Sequence, residues 1–169
     1  MAITYYQSPL GRIRITVADS CVSEVHFCSD DEAAAPGQDA SATGSAEENV
    51  LLQACTEQLI EYFHGQRRFF DLPVTQPGTA FQQSVWSELT AIPFGKTISY
   101  MDLARRLGDT KVIRAAASTN GKNRIAILVP CHRVIGSNRD LVGYAGGLWR
   151  KRWLLEHENK VANGVQTLF

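Results

Sequence analysis

The sequence predicts an α+β fold in two small domains, on three observations. Residues 12–27 alternate apolar and polar as half-buried strands do. Helical spacings with capping signals recur from residue 49 onward. A Pro/Gly-containing stretch at 69–79 separates a mixed N-terminal part from a mostly helical remainder. The expected domains are 1–75 and 79–169.

Ile13, Ile15 and Val17 mark one strand, Asp19-Ser20 a turn, and Val22 to Phe27 a second strand, giving a hairpin. Residues 29–48 are acidic and rich in small residues, which predicts a flexible surface loop. Leu52, Cys55, Leu59 and Phe63 then follow helical spacing from Asn49, and His64-Gly65 supplies the stop. Pro73, Pro77 and Gly78 form the connector.

In the second domain, Thr79-Ala80-Phe81-Gln82 reads as a capping box for a helix with Phe81, Val85 and Leu89 on one face, ending near Pro93. Ser99 caps a helix to Leu107 that Gly108 ends, and Asp109 or Thr110 caps another through Ala117. Two short helices across Gly108-Asp109 have the layout of a helix-turn-helix. The last helix, from Gly147 to about Glu158, shows Leu148, Arg152 and Leu155 along one face.

The chain has 169 residues, 44% apolar and 20% charged, which excludes a disordered chain and allows one good core or two small ones. No apolar run approaches the roughly 18 residues that span a bilayer, and Met1-Ala2-Ile3-Thr4-Tyr5 lacks the basic start of a secretory signal. A cytoplasmic location without membrane contact is expected. Four cysteines without a CxxC pair are then free thiols. Formal net charge is zero, yet residues 1–77 hold 4 Lys+Arg against 11 Asp+Glu, and residues 78–169 hold 13 against 6. A basic half of this kind suits a polyanion.

Pro130-Cys131-His132-Arg133-Val134 carries the chemistry. A cysteine is strongly nucleophilic only as its thiolate, which a neighbouring base or cation usually secures. Pro130 ends the buried, strand-like run Ile125 to Val129, and polar residues follow at once, so the chain leaves the core at Cys131 and can form a pocket mouth. A metal centre needs about four ligands, and this half offers Cys131, His132 and His157 without a recognised spacing. Cys21, His26 and Cys28 likewise lack an evident fourth ligand. Neither a metal nor a cofactor is expected. On an extended chain the side chains of Cys131 and His132 point apart, which favours contact through a water over the direct contact of a cysteine protease. A carboxylate near the end of the last helix, where negative charge is unfavourable, suggests a partner such as His132. In Arg114-Ala115-Ala116-Ala117-Ser118, one arginine precedes a stretch of small residues. Close core packing and close approach to DNA explain that pattern equally well.

Residues 79–158 closely resemble the O6-alkylguanine-DNA alkyltransferases, through FQQSVW, Ile98-Ser99-Tyr100, Arg114-Ala115, Asn120-Gly121 with Asn123, ILVPCHRVIG, GYAGG and KRWLLEHE. The N-terminal part matches only in layout. The resemblance implies an N-terminal α/β domain with a ribonuclease H-like sheet plus helix, then a winged helix-turn-helix-type DNA-binding catalytic domain. It implies direct, irreversible, single-turnover transfer of a methyl or larger alkyl group from O6-alkylguanine, and from O4-alkylthymine, in DNA to Cys131. His132 would be the water-mediated base, Glu158 its orienting carboxylate and Asn123 a brace for the active-site turn. Tyr100 would hydrogen-bond the departing guanine, while Val134, Ala145 and Gly146 line the base site. Arg114, Ala115, Ala116 and Ser118 would enter the minor groove of double-stranded DNA, with Arg114 filling the gap left by the flipped base. A monomer is expected. Relatives that lack the reactive cysteine define the alternative, a damage-binding protein without enzymatic activity. Gln166-Thr167-Leu168-Phe169 is faintly similar to peptides that dock on sliding clamps. The chain departs from many relatives at Arg124, where they have proline, at Asn138-Arg139-Asp140, and at Ala145, where some have serine.

Overall fold

The computed structural model describes residues 1–34 and 44–164. They form two compact units: Met1–Gln76 together with Arg124–Leu128, and Pro77–Asn123 together with the residues from Val129 on. Both the centre of the expected acidic loop (35–43) and the clamp-like tail (166–169) lie outside the described residues.

The first unit is a three-stranded antiparallel sheet in the order β1 (Ala2–Ser8), β2 (Gly11–Ala18), β3 (Cys21–Phe27). The hairpin expected from the alternation is β2–β3, turning through Asp19 and Ser20, both at positive φ as a two-residue hairpin loop requires. Strand β1 was not expected. Ile3 to Tyr6 are half-buried rather than alternately buried and exposed, so its period-two signal is weak. Ile13, Ile15 and Val17 are fully buried on one face. Against the sheet packs α2 (Ala46–Phe63), burying Leu52, Cys55, Leu59, Tyr62 and Phe63. Ser45 caps α2 in a reciprocal capping box with Glu48, so the helix begins three residues before the expected Asn49. A short helix, α1 (Asp30–Ala34), occupies the start of the stretch expected to be loop.

Residues 124–128 fall inside the stretch expected to be the second domain, and Ile125 to Val129 reads as a buried, strand-like run. Instead they form a single parallel bridge, Val25 with Ile125, held by Val25 N–H to Arg124 O at 3.0 Å and Ala126 N–H to Val25 O at 3.0 Å. The chain then folds tightly about Ile127, with Leu128 N–H on Ala126 O at 2.8 Å and φ at +70°. A β-branched residue in that region costs about 1–3 kcal/mol, which its burial here helps to offset.

The second unit begins with α3 (Ala80–Thr90), opened by the expected Thr79–Gln82 capping box. Strand β4 (Ile98–Ser99) leads directly into α4 (Tyr100–Arg106), capped reciprocally by Ser99 and Asp102. Gly108 at φ +93° breaks the chain, Asp109 caps one 3-10 turn, and α5 (Ile113–Gly121) follows. These helices bury Val85, Trp86, Leu89, Leu103, Ala104 and Ala116 together. Strand β5 (Val134–Ile135) runs parallel to β4, pairing Ile98 with Val134 and Ser99 with Ile135. The last helix, α6 (Leu148–Asn163), runs five residues past the expected end and stops at Gly164, φ +64°. Its buried face is Lys151, Leu154, Leu155 and Glu158, not the expected Leu148–Arg152–Leu155 stripe, since Leu148 and Arg152 are exposed. No helix among the described residues is long and apolar enough to cross a membrane.

Candidate active site

Cys131 opens a short 3-10 turn, Cys131–Arg133, so of the extended and turning backbones that Pro130 allows the chain takes the turn. Pro130, at φ −82° and ψ 66°, forms an inverse γ-turn in which Cys131 N–H donates to Val129 O at 2.8 Å. The 3-10 turn sends Cys131, His132 and Arg133 to different sides of the backbone, and all three are buried. Asn123 ties the turn down: its Nδ2 donates to Val129 O at 2.8 Å, and its side chain also hydrogen-bonds the Cys131 thiol.

His132, with 0% of its surface exposed, meets Glu158 of α6 at 2.7 Å between Nε2 and Oε2. Glu158 is itself 1% exposed and takes a two-pronged Arg133, with Nε on Oε1 at 2.8 Å and Nη2 on Oε2 at 3.1 Å. Arg133 spends a further donor on Ile92 O at 2.7 Å. Burial would raise the Glu158 pKa, but His132 and Arg133 outweigh it and hold the carboxyl well below its usual range. For His132 burial prevails over the attraction of Glu158, with Arg133 and Lys151 acting in the same direction, so its pKa is lowered and the ring is neutral. A neutral ring bonded to a carboxylate through Nε2–H carries its lone pair on Nδ1. That nitrogen is buried and has no hydrogen-bond partner among the described residues.

The reason for expecting a partner for Glu158 was its place at a helix end, and this is corrected: α6 continues for another turn. The partner itself is the expected His132, with Arg133 added. Cys131 also departs from expectation. Burial raises its thiol pKa, and Asn123 and the charge of Lys151 only partly oppose that. The resting side chain is a thiol.

Pairing of β4 with β5 brings Tyr100, the first residue of α4, to the same site. Its hydroxyl donates to Val142 O at 3.0 Å and is hydrogen-bonded by the Asn120 side chain, whose Nδ2 also lies 3.4 Å from Cys131 O. Burial, then the negative charge of a Cys131 thiolate, raise the Tyr100 pKa, so the phenol keeps its proton. Val134 is buried in β5 directly after the Cys131 turn, whereas Ala145 is exposed and Gly146 half-exposed on the loop before α6. On α5, Arg114, Ala115 and Ser118 are exposed along one side. Ala116 is corrected: at 0% exposure it faces the core, as its helical phase relative to Ala115 and Ser118 requires.

Three residues at the site were missed. Arg133 follows the Cys-His pair and carried no assigned role. Asn120 carried no assigned role. Lys151 sits in the charged run Arg150-Lys151-Arg152, which gives no hint of burial, and yet it is 0% exposed. A signal existed: Lys151 and Glu158 are seven residues apart and therefore share a helical face with Leu154 and Leu155. Among the described residues no group of three or more potential metal ligands occurs.

The fold and site define a two-unit protein with a buried cysteine in the second unit. Residues 1–76 match the ribonuclease-like domain of 6-O-methylguanine DNA methyltransferase, and residues 80–160 match its DNA binding domain. The constitutive methylated-DNA–protein-cysteine methyltransferase of Bacillus subtilis is 40% identical over 85% of this chain and 88% of its own length. The methylated-DNA–protein-cysteine methyltransferase of Mycolicibacterium paratuberculosis is 38% identical over 96% of this chain and 94% of its own length. Among solved structures, Mycobacterium tuberculosis OGT in complex with DNA superposes with a TM-score of 0.81 at 35% identity, covering 94% of this chain and 93% of that one. The chain belongs to the methylated-DNA–protein-cysteine methyltransferase family.

Proposed function

We propose that this protein repairs DNA by moving an alkyl group irreversibly from the O6 oxygen of an alkylated guanine to Sγ of Cys131. The observation that carries the reading is the buried His132–Glu158 pair directly after the buried Cys131, with Tyr100 hydrogen-bonded to Val142 O nearby, in a member of this family. A buried imidazole nitrogen needs a hydrogen-bond partner, and one water between His132 Nδ1 and Cys131 Sγ supplies it. The neutral ring accepts the thiol proton through that water, and the anionic Glu158 stabilises the imidazolium that results. The thiolate then attacks the alkyl carbon: the S–C bond forms as the C–O6 bond breaks, and the bonding pair leaves on the guanine. Tyr100 turns its O–H to the purine ring and stabilises the departing anion.

Full ionisation of an ordinary thiol gains only about 30-fold near neutral pH, roughly 2 kcal/mol. Here the resting thiol lacks even that advantage. Orientation of the alkyl carbon in the pocket and stabilisation of the leaving group therefore supply most of the acceleration. Val134 and the backbone at Ala145 and Gly146 line the base site, and Asn123 keeps the cysteine turn in place. Since a stacked base cannot reach Cys131, the base is flipped out; the exposed Arg114, with Ala115 and Ser118, fits the minor-groove face and fills the gap. The protein acts as a monomer on duplex DNA. O4-alkylthymine, which presents the same kind of ether carbon, is a second substrate.

Intact-protein mass after mixing with a duplex holding one O6-methylguanine tests this. The expected result is a gain of one methylene, capped at one per molecule and absent in Cys131→Ser. Tight, damage-specific binding without mass gain would identify a damage-binding protein instead.

A further inference from the structure

Lys151 is a fully buried ammonium, and among the described residues no carboxylate pairs with it. Burying such a group costs several kcal/mol unless hydrogen bonds replace its water, and a methionine of similar length would fill the same space without that cost. Its hydrogen bonds therefore need a purpose. Nζ donates to Val142 O at 2.9 Å and to Gly143 O at 3.2 Å, on the loop that precedes α6. Val142 O is also the acceptor of the Tyr100 hydroxyl, at 3.0 Å, and Nζ lies 5.8 Å from the centre of the Tyr100 ring. One carbonyl oxygen is thus shared by a lysine and by the tyrosine that faces the reacting base.

We infer that Lys151 is a positioning residue for alkyl transfer, which by holding the Val142 carbonyl sets the place and the readiness with which Tyr100 presents its hydroxyl to the base. The inference rests on the transfer reading above. In the substrate-free site the Tyr100 proton is spent on Val142 O, so a base has to compete for it. An oxygen that already accepts a charge-assisted bond from an ammonium is a weaker acceptor for a second donor, and the same bond fixes where that oxygen sits. Lys151 therefore keeps Tyr100 in place and easily released. Burial lowers the Lys151 pKa to about 8, so most of the lysine remains an ammonium at neutral pH.

The test is a double-mutant cycle read as the single-turnover rate of methyl transfer from an O6-methylguanine duplex at saturating DNA, with DNA affinity and thermal melting measured alongside. Lys151→Met is expected to slow transfer about tenfold while changing DNA affinity less than twofold. Lys151→Arg, which keeps a charged donor, is expected to recover most of the rate. In a Tyr100→Phe background the Lys151→Met loss is expected to shrink below threefold, because the hydroxyl through which Lys151 acts is gone. An equal loss in both backgrounds overturns the inference and leaves Lys151 with a structural role or a direct charge effect on Cys131. If Lys151→Met does not fold, Lys151→Gln takes its place in the cycle. Wild-type protein that binds the duplex without taking the methyl group defeats the transfer reading and this inference together; wild type that transfers while the cycle is additive defeats the inference alone.

Discussion

Glu158 is the residue on which the buried charges converge. It accepts from His132 and from both prongs of Arg133, and its oxygens have no water to turn to. Glu158→Gln keeps the volume but leaves the Arg133 guanidinium buried without its counter-charge, a change that costs about 3–5 kcal/mol. Chemical denaturation should show a loss of that size, and methyl transfer should slow because His132 loses its orienting acceptor. The linkage with pH has a definite sign. The His132 pKa is lowered on folding from its ordinary 6.5, so below about pH 6.5 the unfolded chain binds a proton that the folded one does not. The Glu158 pKa is also lowered, from its ordinary 4.5, so below that value the unfolded chain takes up a second proton. Both contributions are present at neutral pH and fade as the solution is acidified. The melting temperature should drop from pH 7 to pH 4, and less steeply in Glu158→Gln; a flat profile in the wild type would contradict the assigned protonation states.

At the scale of elements, the two-residue pair β4–β5 matters more than its length suggests, because Ser99 is both its last residue and the cap of α4, with Tyr100 next in line. Ser99→Ala removes one half of a reciprocal capping box and should cost about 1 kcal/mol. Its sharper effect should be on transfer: the rate should fall several-fold at unchanged DNA affinity, measured by single-turnover kinetics beside a filter-binding titration. Much of this layout was legible in the sequence. The Thr79 and Ser99 capping boxes, the break at Gly108 and the alternation of Ile13, Ile15 and Val17 are local signals, and local signals fix local structure. The losses came where tertiary packing decided. Strand β1 reads weakly because its residues are half-buried on both faces. Ile125 to Val129 is apolar enough for a strand yet folds into a tight turn, since burial alone does not distinguish the two. The pairing of His132 with Glu158 was expected; the burial of Lys151 and the grip of Arg133 were not, because long charged side chains normally lie in water. The family resemblance supplied roles that spacing could not.

Across the whole molecule, charge is divided between the units. The acidic residues concentrate before Pro77 and the basic ones after it, so a formally neutral chain offers a basic surface on the unit that carries Cys131 and α5. Affinity for duplex DNA should therefore be strongly salt-dependent, with the binding constant falling at least tenfold between about 50 and 200 mM salt, and Arg114→Ala should reduce it further. Salt-indifferent binding would mean that phosphate contacts are not the source of affinity. The raised pKa of the buried Cys131 thiol also bears on how long the protein keeps. If the transfer proposed above spends the molecule in one reaction, each copy must hold its Cys131 sulfur unspoiled until a lesion arrives. Peroxides and disulfides consume thiolates, not thiols, and they need access. On the transfer reading proposed above, a covered and protonated Cys131 is shielded from both kinds of oxidant while the protein is unused.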